Sequence, residues 1–225
     1  MDAVLNHGTV IDEEQRQAVA AAIKSRRDTW THFGEYSHGY PGEIVDNLPK
    51  YFLGSPVYMA KNDRSLYEGM RMRSQQLLES ELFVNLRQAA LQRLSEYHGK
   101  PTEPLQGTSL PGFHVYNSLN KAKTSPWANW HIDSNLIYMP PYENYDASKI
   151  RSFILLIEVS KLGDYLGYKV DGNKYQHYYT PGVLYSWSSI LEHRIGNVVL
   201  PTDDEYRISL QGHIYEEDAV LKYYW

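Results

Sequence analysis

At Pro111 the chain changes its period. Before it, apolar residues recur at threes and fours; after it, apolar and polar residues alternate. The first spacing builds one face of a helix and the second builds one face of a strand. A chain that does one and then the other is restricted to folds in which helices cover a sheet from outside.

Residues 12–28 are rich in Glu, Gln, Ala, Ile and Arg, with a weak stripe at Val19 and Ile23. A longer helical region spans 65–98, where Leu66, Met70, Leu77, Leu78, Leu82, Leu86, Ala90, Leu91 and Leu94 mark one buried face. Asn62, Asp63 and Ser65 are candidate caps, Ser80 offers a second start, and Gly99-Lys100-Pro101 is a stop. One helix or two both fit. Between the helices, 30–59 is rich in Gly, Pro and Tyr and reads as a binding loop or a packed connector.

Beyond Pro111 the alternation predicts strands at 112–119, 129–139, 152–159, 165–170, 174–180, 183–188, 194–199 and 206–216. Asp171-Gly172-Asn173 is a hairpin signal. Short strands at this spacing point to a sandwich or small barrel. With no repeat and no linker, the expectation is one domain over 1–225, with helical support in 1–110 and a strand-built core in 111–225.

Composition narrows the partners. The 225 residues are 42% hydrophobic and 22% charged, with a net charge of −5 and no lysine or arginine run longer than two, so no nucleic-acid footprint is expected. There is no cysteine, which removes disulfides and thiolate sites and fits a reducing compartment. No secretory pattern opens the chain and no apolar stretch is long enough for a membrane span, so a cytoplasmic protein without a membrane partner is expected. The 20 tyrosines, against 5 Phe and 5 Trp, favour strands and half-wet pockets.

Chemistry concentrates at three places: His131-Ile132-Asp133, His193 and Arg207-Ile208-Ser209. Two imidazoles and a carboxylate are a three-point ligand set for non-haem Fe(II) that leaves half the coordination sphere open. On a strand, His131 and Asp133 leave the same face, with Asn129 and Asn135, while Ile132 turns with Trp130, Leu136 and Tyr138 towards a helical layer. The alternative is a surface strand with incidental polar groups. For the distal ligand, His177, His213 and His114 compete with His193, and His213 shares a face with Arg207, Ser209 and Gln211. An arginine directed into a barrel is costly unless an anion meets it. A protein carboxylate or a keto-acid co-substrate would serve; an exposed edge position would need neither.

The order His131-x-Asp133, His193, Arg207-x-Ser209, in a strand-rich half behind helices, resembles the Fe(II)/2-oxoglutarate-dependent oxygenase superfamily. The resemblance implies a mainly β protein with N-terminal helices and a double-stranded β-helix (jelly-roll, cupin-like) core. It implies His131, Asp133 and His193 as iron ligands and Arg207 with Ser209 on the distal carboxylate of 2-oxoglutarate. Dioxygen would complete a hydroxylation, or a related oxidation, of an unactivated C–H bond in a small molecule such as an amino acid or natural-product intermediate. Pro111-Gly112-Phe113-His114 and 207–212 are also similar to compact members acting on free amino acids. Halogenating members replace the ligand carboxylate, which Asp133 retains here.

Tyr116, Asn117 and Asn135 are candidate substrate contacts, and the 30–59 and 139–149 loops, the latter with Tyr142 and Tyr145, are candidate lids. The competing readings are a metal-independent jelly-roll module for a small ligand or sugar, and a cupin-like metalloenzyme without a keto acid.

Overall fold

The computed structural model describes residues 3–33, 50–61, 64–117, 130–133, 135–139, 141–142, 144–159, 164–196 and 205–225. Helix α1 (Glu13–Lys24) begins with a reciprocal cap, in which the Asp12 carboxylate accepts from the Gln15 amide and the Gln15 side chain accepts from the Asp12 amide. The longer helical region is two helices, α2 (Arg64–Leu78) and α3 (Glu81–His98), with Ser80 at the break. Gly99, at φ 65°, closes α3 in the left-handed conformation that favours glycine. The break resets the helical phase. Phe83, Leu86, Ala90, Leu91 and Leu94 are buried, while Leu82 turns to solvent at 37% exposure.

The strands are β1 (Val4–Thr9), β2 (Thr31–His32), β3 (Lys50–Leu53), β4 (Thr102–Pro104), β5 (Gly112–Asn117), β6 (Ile150–Glu158), β7 (Tyr165–Val170), β8 (Asn173–Tyr178), β9 (Val183–Ser188), β10 (His193–Ile195), β11 (Tyr206–Glu216) and β12 (Leu221–Tyr224). Two sheets result. The larger runs β1-β9-β6-β11-β5-β3-β2, with β12 joining β11 to β4; the smaller runs β10-β7-β8. The paired sheets make the jelly-roll core, and β1, β2, β3, β4 and β12 enlarge the main sheet beyond what the alternation predicts.

Alternation assigns the two faces of the main sheet. Phe113, Val115, Phe153, Leu155, Leu184, Ile208 and Leu210 pack with Val19 and Ile23 of α1 and with Leu86, Leu91 and Leu94 of α3 in one apolar cluster. The opposite face carries Ile154, Leu156, Val183, Tyr185 and Trp187, which pack with Leu166 and Tyr179 from the small-sheet side. Helices α1 and α3 therefore cover one side; on the other, Phe52, Ile150 and Tyr224 pack with Tyr67 and Met70 of α2 at one end of the sheet. Among the described residues no helix is long and apolar enough to cross a membrane.

One predicted strand does not form. Over 129–139, of which 129 and 134 lie outside the described residues, His131 makes a single antiparallel bridge to His193, and Asn135–Tyr138 is a 3-10 turn. The partner strand β10 has only three residues and offers no ladder. Leu136 and Met139, three apart, instead drop together into a cluster with Val57, Met59 and Ile150, which suits a three-residue turn. Ile132, expected beneath a helical layer, is 44% exposed. Of the loop at 30–59, the described ends form β2, β3 and a 3-10 turn at Val57–Lys61, whereas 34–49 lies outside the described residues. Tyr142 and Tyr145 of the other candidate lid pack against the Met59–Met139 cluster.

Two predictions follow from packing and burial. A Cβ on Gly112 would stand 2.3 Å from the Trp225 ring and 2.6 Å from the Leu53 carbonyl oxygen. Overpacking of that kind costs about 1–3 kcal/mol. Gly112→Ala is therefore expected to lower the melting temperature by roughly 2–12 °C, as read by thermal unfolding.

His7 is the second case. It hydrogen-bonds Ser186 at 2.8 Å and meets Tyr97 edge-on at 4.7 Å. Burial, then the charges of His98 and Arg151, lower it from 6.5 to about 4. Between those values the unfolded chain binds more protons, so the contribution of His7 is whole above pH 6.5 and is lost as pH falls towards 4. His7→Gln should flatten the decline of melting temperature over that window.

Candidate active site

Three side chains converge at the end of the small sheet. His131 and His193 exchange two backbone hydrogen bonds of 2.9 Å, and the Asp133 amide donates to the Ser189 carbonyl at 2.8 Å. These bonds bring the two imidazoles and the carboxylate together without a continuous strand. His131 Nε2 lies 3.8 Å from Asp133 Oδ1, and His193 Nε2 lies 3.3 Å from Asp133 Oδ2. One ligand atom from each falls within 4.8 Å of the others. Neighbouring ligands about 2.1 Å from one metal ion stand about 3 Å apart, so small side-chain shifts suffice to close the three around an ion.

The local hydrogen bonds leave these groups in states that would suit ligation. His193 Nδ1 is 2.8 Å from the Leu191 carbonyl oxygen, which only accepts. The proton therefore sits on Nδ1, and the Nε2 lone pair faces the site. Ser152 donates to Asp133 Oδ2, and its oxygen then accepts from His213 Nδ1 at 3.1 Å. His213, a rival ligand in the sequence, thus acts through Ser152 and is braced by stacking on Tyr224 at 5.0 Å. Burial alone would raise the Asp133 carboxyl. His193, His213 and His131 outweigh burial and hold it well below the usual carboxylate range. The His131 side chain is 42% exposed, so one side of the triangle is open.

Further along the same face of β11, Arg207 and Ser209 are fully buried. The Arg207 guanidinium lies 5.4 Å from the Tyr116 ring and 6.0 Å from the Tyr179 ring. Its Nε stands 3.1 Å from Asp164 Oδ2, close enough for an ion pair although not aligned as a hydrogen bond. Nη1 reaches Ser209 Oγ at 3.5 Å, and Gln211 donates to the same oxygen at 3.0 Å. Nη2 has no hydrogen-bond partner among the described residues. A buried guanidinium with an idle donor, beside a hydroxyl whose acceptor side is already used, would suit a carboxylate. The donor set therefore fits both a divalent metal at the triad and a keto acid reaching towards Arg207.

Of the expected substrate contacts, Tyr116 pairs opposite Arg207 and lines the same face, and Asn117 is buried on the next position of β5, where alternation gives it the other face. Asn135 begins the 3-10 turn and is half-buried. Ser152, Asp164, Lys50 and Tyr58 also belong to this cavity and carry no motif of their own. Only the alternation of Ser152 on β6 pointed inward.

No family model and no curated protein sequence matches this chain. Solved structures do. An N-substituted L-amino acid dioxygenase from Burkholderia ambifaria AMMD superposes with a TM-score of 0.53 at 13% identity, over 95% of this chain and 83% of that one. The same enzyme in complex with alpha-KG gives 0.54 at 12%, over 95% and 83%. The non-heme alpha ketoglutarate dependent epimerase SnoN from nogalamycin biosynthesis gives 0.54 at 12%, over 96% and 81%. This chain shares the jelly-roll fold of those structures.

Outer hydrogen-bonding partners of a ligand typically matter 10- to 100-fold for metal affinity. Ser152→Ala should weaken Mn(II) binding by roughly that factor in a calorimetric titration, with the melting temperature of the metal-free protein little changed.

Proposed function

We propose that the protein is an Fe(II)/2-oxoglutarate-dependent oxygenase that hydroxylates, or otherwise oxidises, a C–H bond of a small molecule. The observation that carries this reading is the His131–Asp133–His193 cluster together with the buried Arg207, whose Nη2 has no hydrogen-bond partner among the described residues. In this assignment His131, Asp133 and His193 hold Fe(II), and Arg207 with Ser209 holds the distal carboxylate of 2-oxoglutarate.

When bound, the metal, the keto acid and dioxygen supply oxidative decarboxylation to succinate and carbon dioxide, with the second oxygen atom available for the substrate. The chain's own residues prepare that chemistry. Asp133 is kept ionised by the imidazoles around it, so no proton has to leave before it ligates. Leu191 fixes the His193 tautomer, and Ser152 holds the carboxylate oxygen in place. Arg207 and the Ser209 hydroxyl orient the co-substrate along β11. Tyr185, Trp187 and Leu166 pack as apolar surface between the two sheets. The open side next to His131 is left for the substrate.

Asp133→Ala and His131→Ala are expected to abolish Fe(II)-dependent succinate formation. Full turnover by Asp133→Ala would refute the assignment. Arg207→Ala should chiefly weaken 2-oxoglutarate binding, by about 2–5 kcal/mol or roughly 30-fold and more, measured anaerobically by titration.

A second reading has one observation in its favour. The ion pair between Asp164 and Arg207 supplies the guanidinium with a protein carboxylate, as a cupin-like metalloenzyme without a keto acid would require. Activity retained in the complete absence of any keto acid would select it.

A further inference from the structure

Strand β3 sets a second cation beside the same cavity. Lys50 pairs opposite Tyr116, which pairs opposite Arg207, so three neighbouring strands place Lys50, Tyr116 and Arg207 in one row. The Lys50 ammonium lies 4.8 Å from the Phe33 ring, 5.1 Å from Phe52 and 5.5 Å from Tyr58. Its hydrogen bond goes to the Tyr58 hydroxyl at 3.3 Å, and that hydroxyl stands 3.4 Å from His114 Nε2. Among the described residues no carboxylate comes within ion-pair distance of Lys50. A flexible ammonium is seldom enclosed by rings without an anion to meet it.

The two cations face different ways. Arg207 has the Tyr116 and Tyr179 rings and Asp164 around it, whereas the ring and hydrogen-bond partners of Lys50 come from Phe33, β3 and the turn after it. Strands spaced about 4.8 Å apart put the two backbones nearly 10 Å from one another. Their ring and hydrogen-bond partners do not overlap, so each cation has surroundings of its own. Burial, then repulsion from Arg207, lowers Lys50 to about 7, with Asp133 pulling the other way. A bound anion would relieve that cost.

A keto acid is a dianion whose two carboxylates are already accounted for by the triad and Arg207. We propose that Lys50 and Tyr58 form a separate carboxylate seat, and that the substrate is a carboxylic acid held there with its apolar part against Phe33 and Phe52. This rests on the oxygenase reading for the word substrate; the anion seat itself rests only on the geometry around Lys50.

Benzoate is a suitable probe, because it joins a carboxylate to a ring that fits the aromatic wall, and benzamide is its neutral counterpart. The full chain is loaded anaerobically with Mn(II) and saturating 2-oxoglutarate, and each probe is titrated calorimetrically. Benzoate should bind at least tenfold tighter than benzamide. Lys50→Met should lower benzoate affinity at least tenfold while 2-oxoglutarate affinity stays within about twofold. Lys50→Arg, which keeps the charge, should retain benzoate binding and gives a folded comparison should the Met variant prove unstable.

The inference is overturned by equal benzoate affinity in the Met variant, by no benzoate binding to the unaltered chain, or by a Met variant that loses 2-oxoglutarate, which would make Lys50 a co-substrate residue. Failure of the unaltered chain to bind 2-oxoglutarate would instead sink the oxygenase reading. Benzoate titrated without keto acid would then still decide the seat.

Discussion

Strand β11 is hydrogen-bonded along both edges, to β6 on one side and to β5 and β12 on the other. A strand fixed in this way cannot slip, because a shift of one residue would exchange its two faces. Ile208, Leu210 and Ile214 must then meet the helices, and Arg207, Ser209, Gln211 and His213 must meet the cavity. Reversing the faces would bury a guanidinium among leucines and cost several kcal/mol. The apolar contacts of α1 and α3 thus do more than stabilise the sheet. They force a row of polar groups into the interior, where the site is assembled.

The fold was legible wherever a long alternating run met a clear stop. Residues 165–170, 183–188 and 206–216 form strands with the bounds their alternation implies. Short or composite pieces were not legible. Lys50–Leu53 follows a stretch rich in Gly and Pro and has no room to alternate, and Leu221–Tyr224 is equally brief. The stretch around His131 misled for another reason. Polar and apolar residues alternate there as in a strand, but β10 is too short to hold more than a single bridge. Tertiary supply of hydrogen-bond partners overrode the local pattern.

The same division holds for the site. His131, Asp133 and His193, singled out by residue type and spacing, lie together in the structure, and Arg207 and Ser209 are buried on β11. Ser152 is 19 residues from the carboxylate it touches, and Asp164 and Lys50 meet the cavity from opposite flanks. Such proximity is created by pairing of distant strands and leaves no trace in local sequence. Burial then changes what these groups are. Asp133 is held ionised, His114 is pushed well below its ordinary value by burial with Lys50 and Arg207 nearby, and the Tyr116 phenol is pushed up to about 12 by burial. The cavity is a zone of fixed charges and neutral rings.

The reciprocal bonds between His131 and His193 have a consequence for how the cluster is held. Two imidazoles joined through their own main chains are gathered by the fold itself, with no ligand needed to bring them together. That clasp is made by main-chain bonds alone and asks nothing of an ion to hold it.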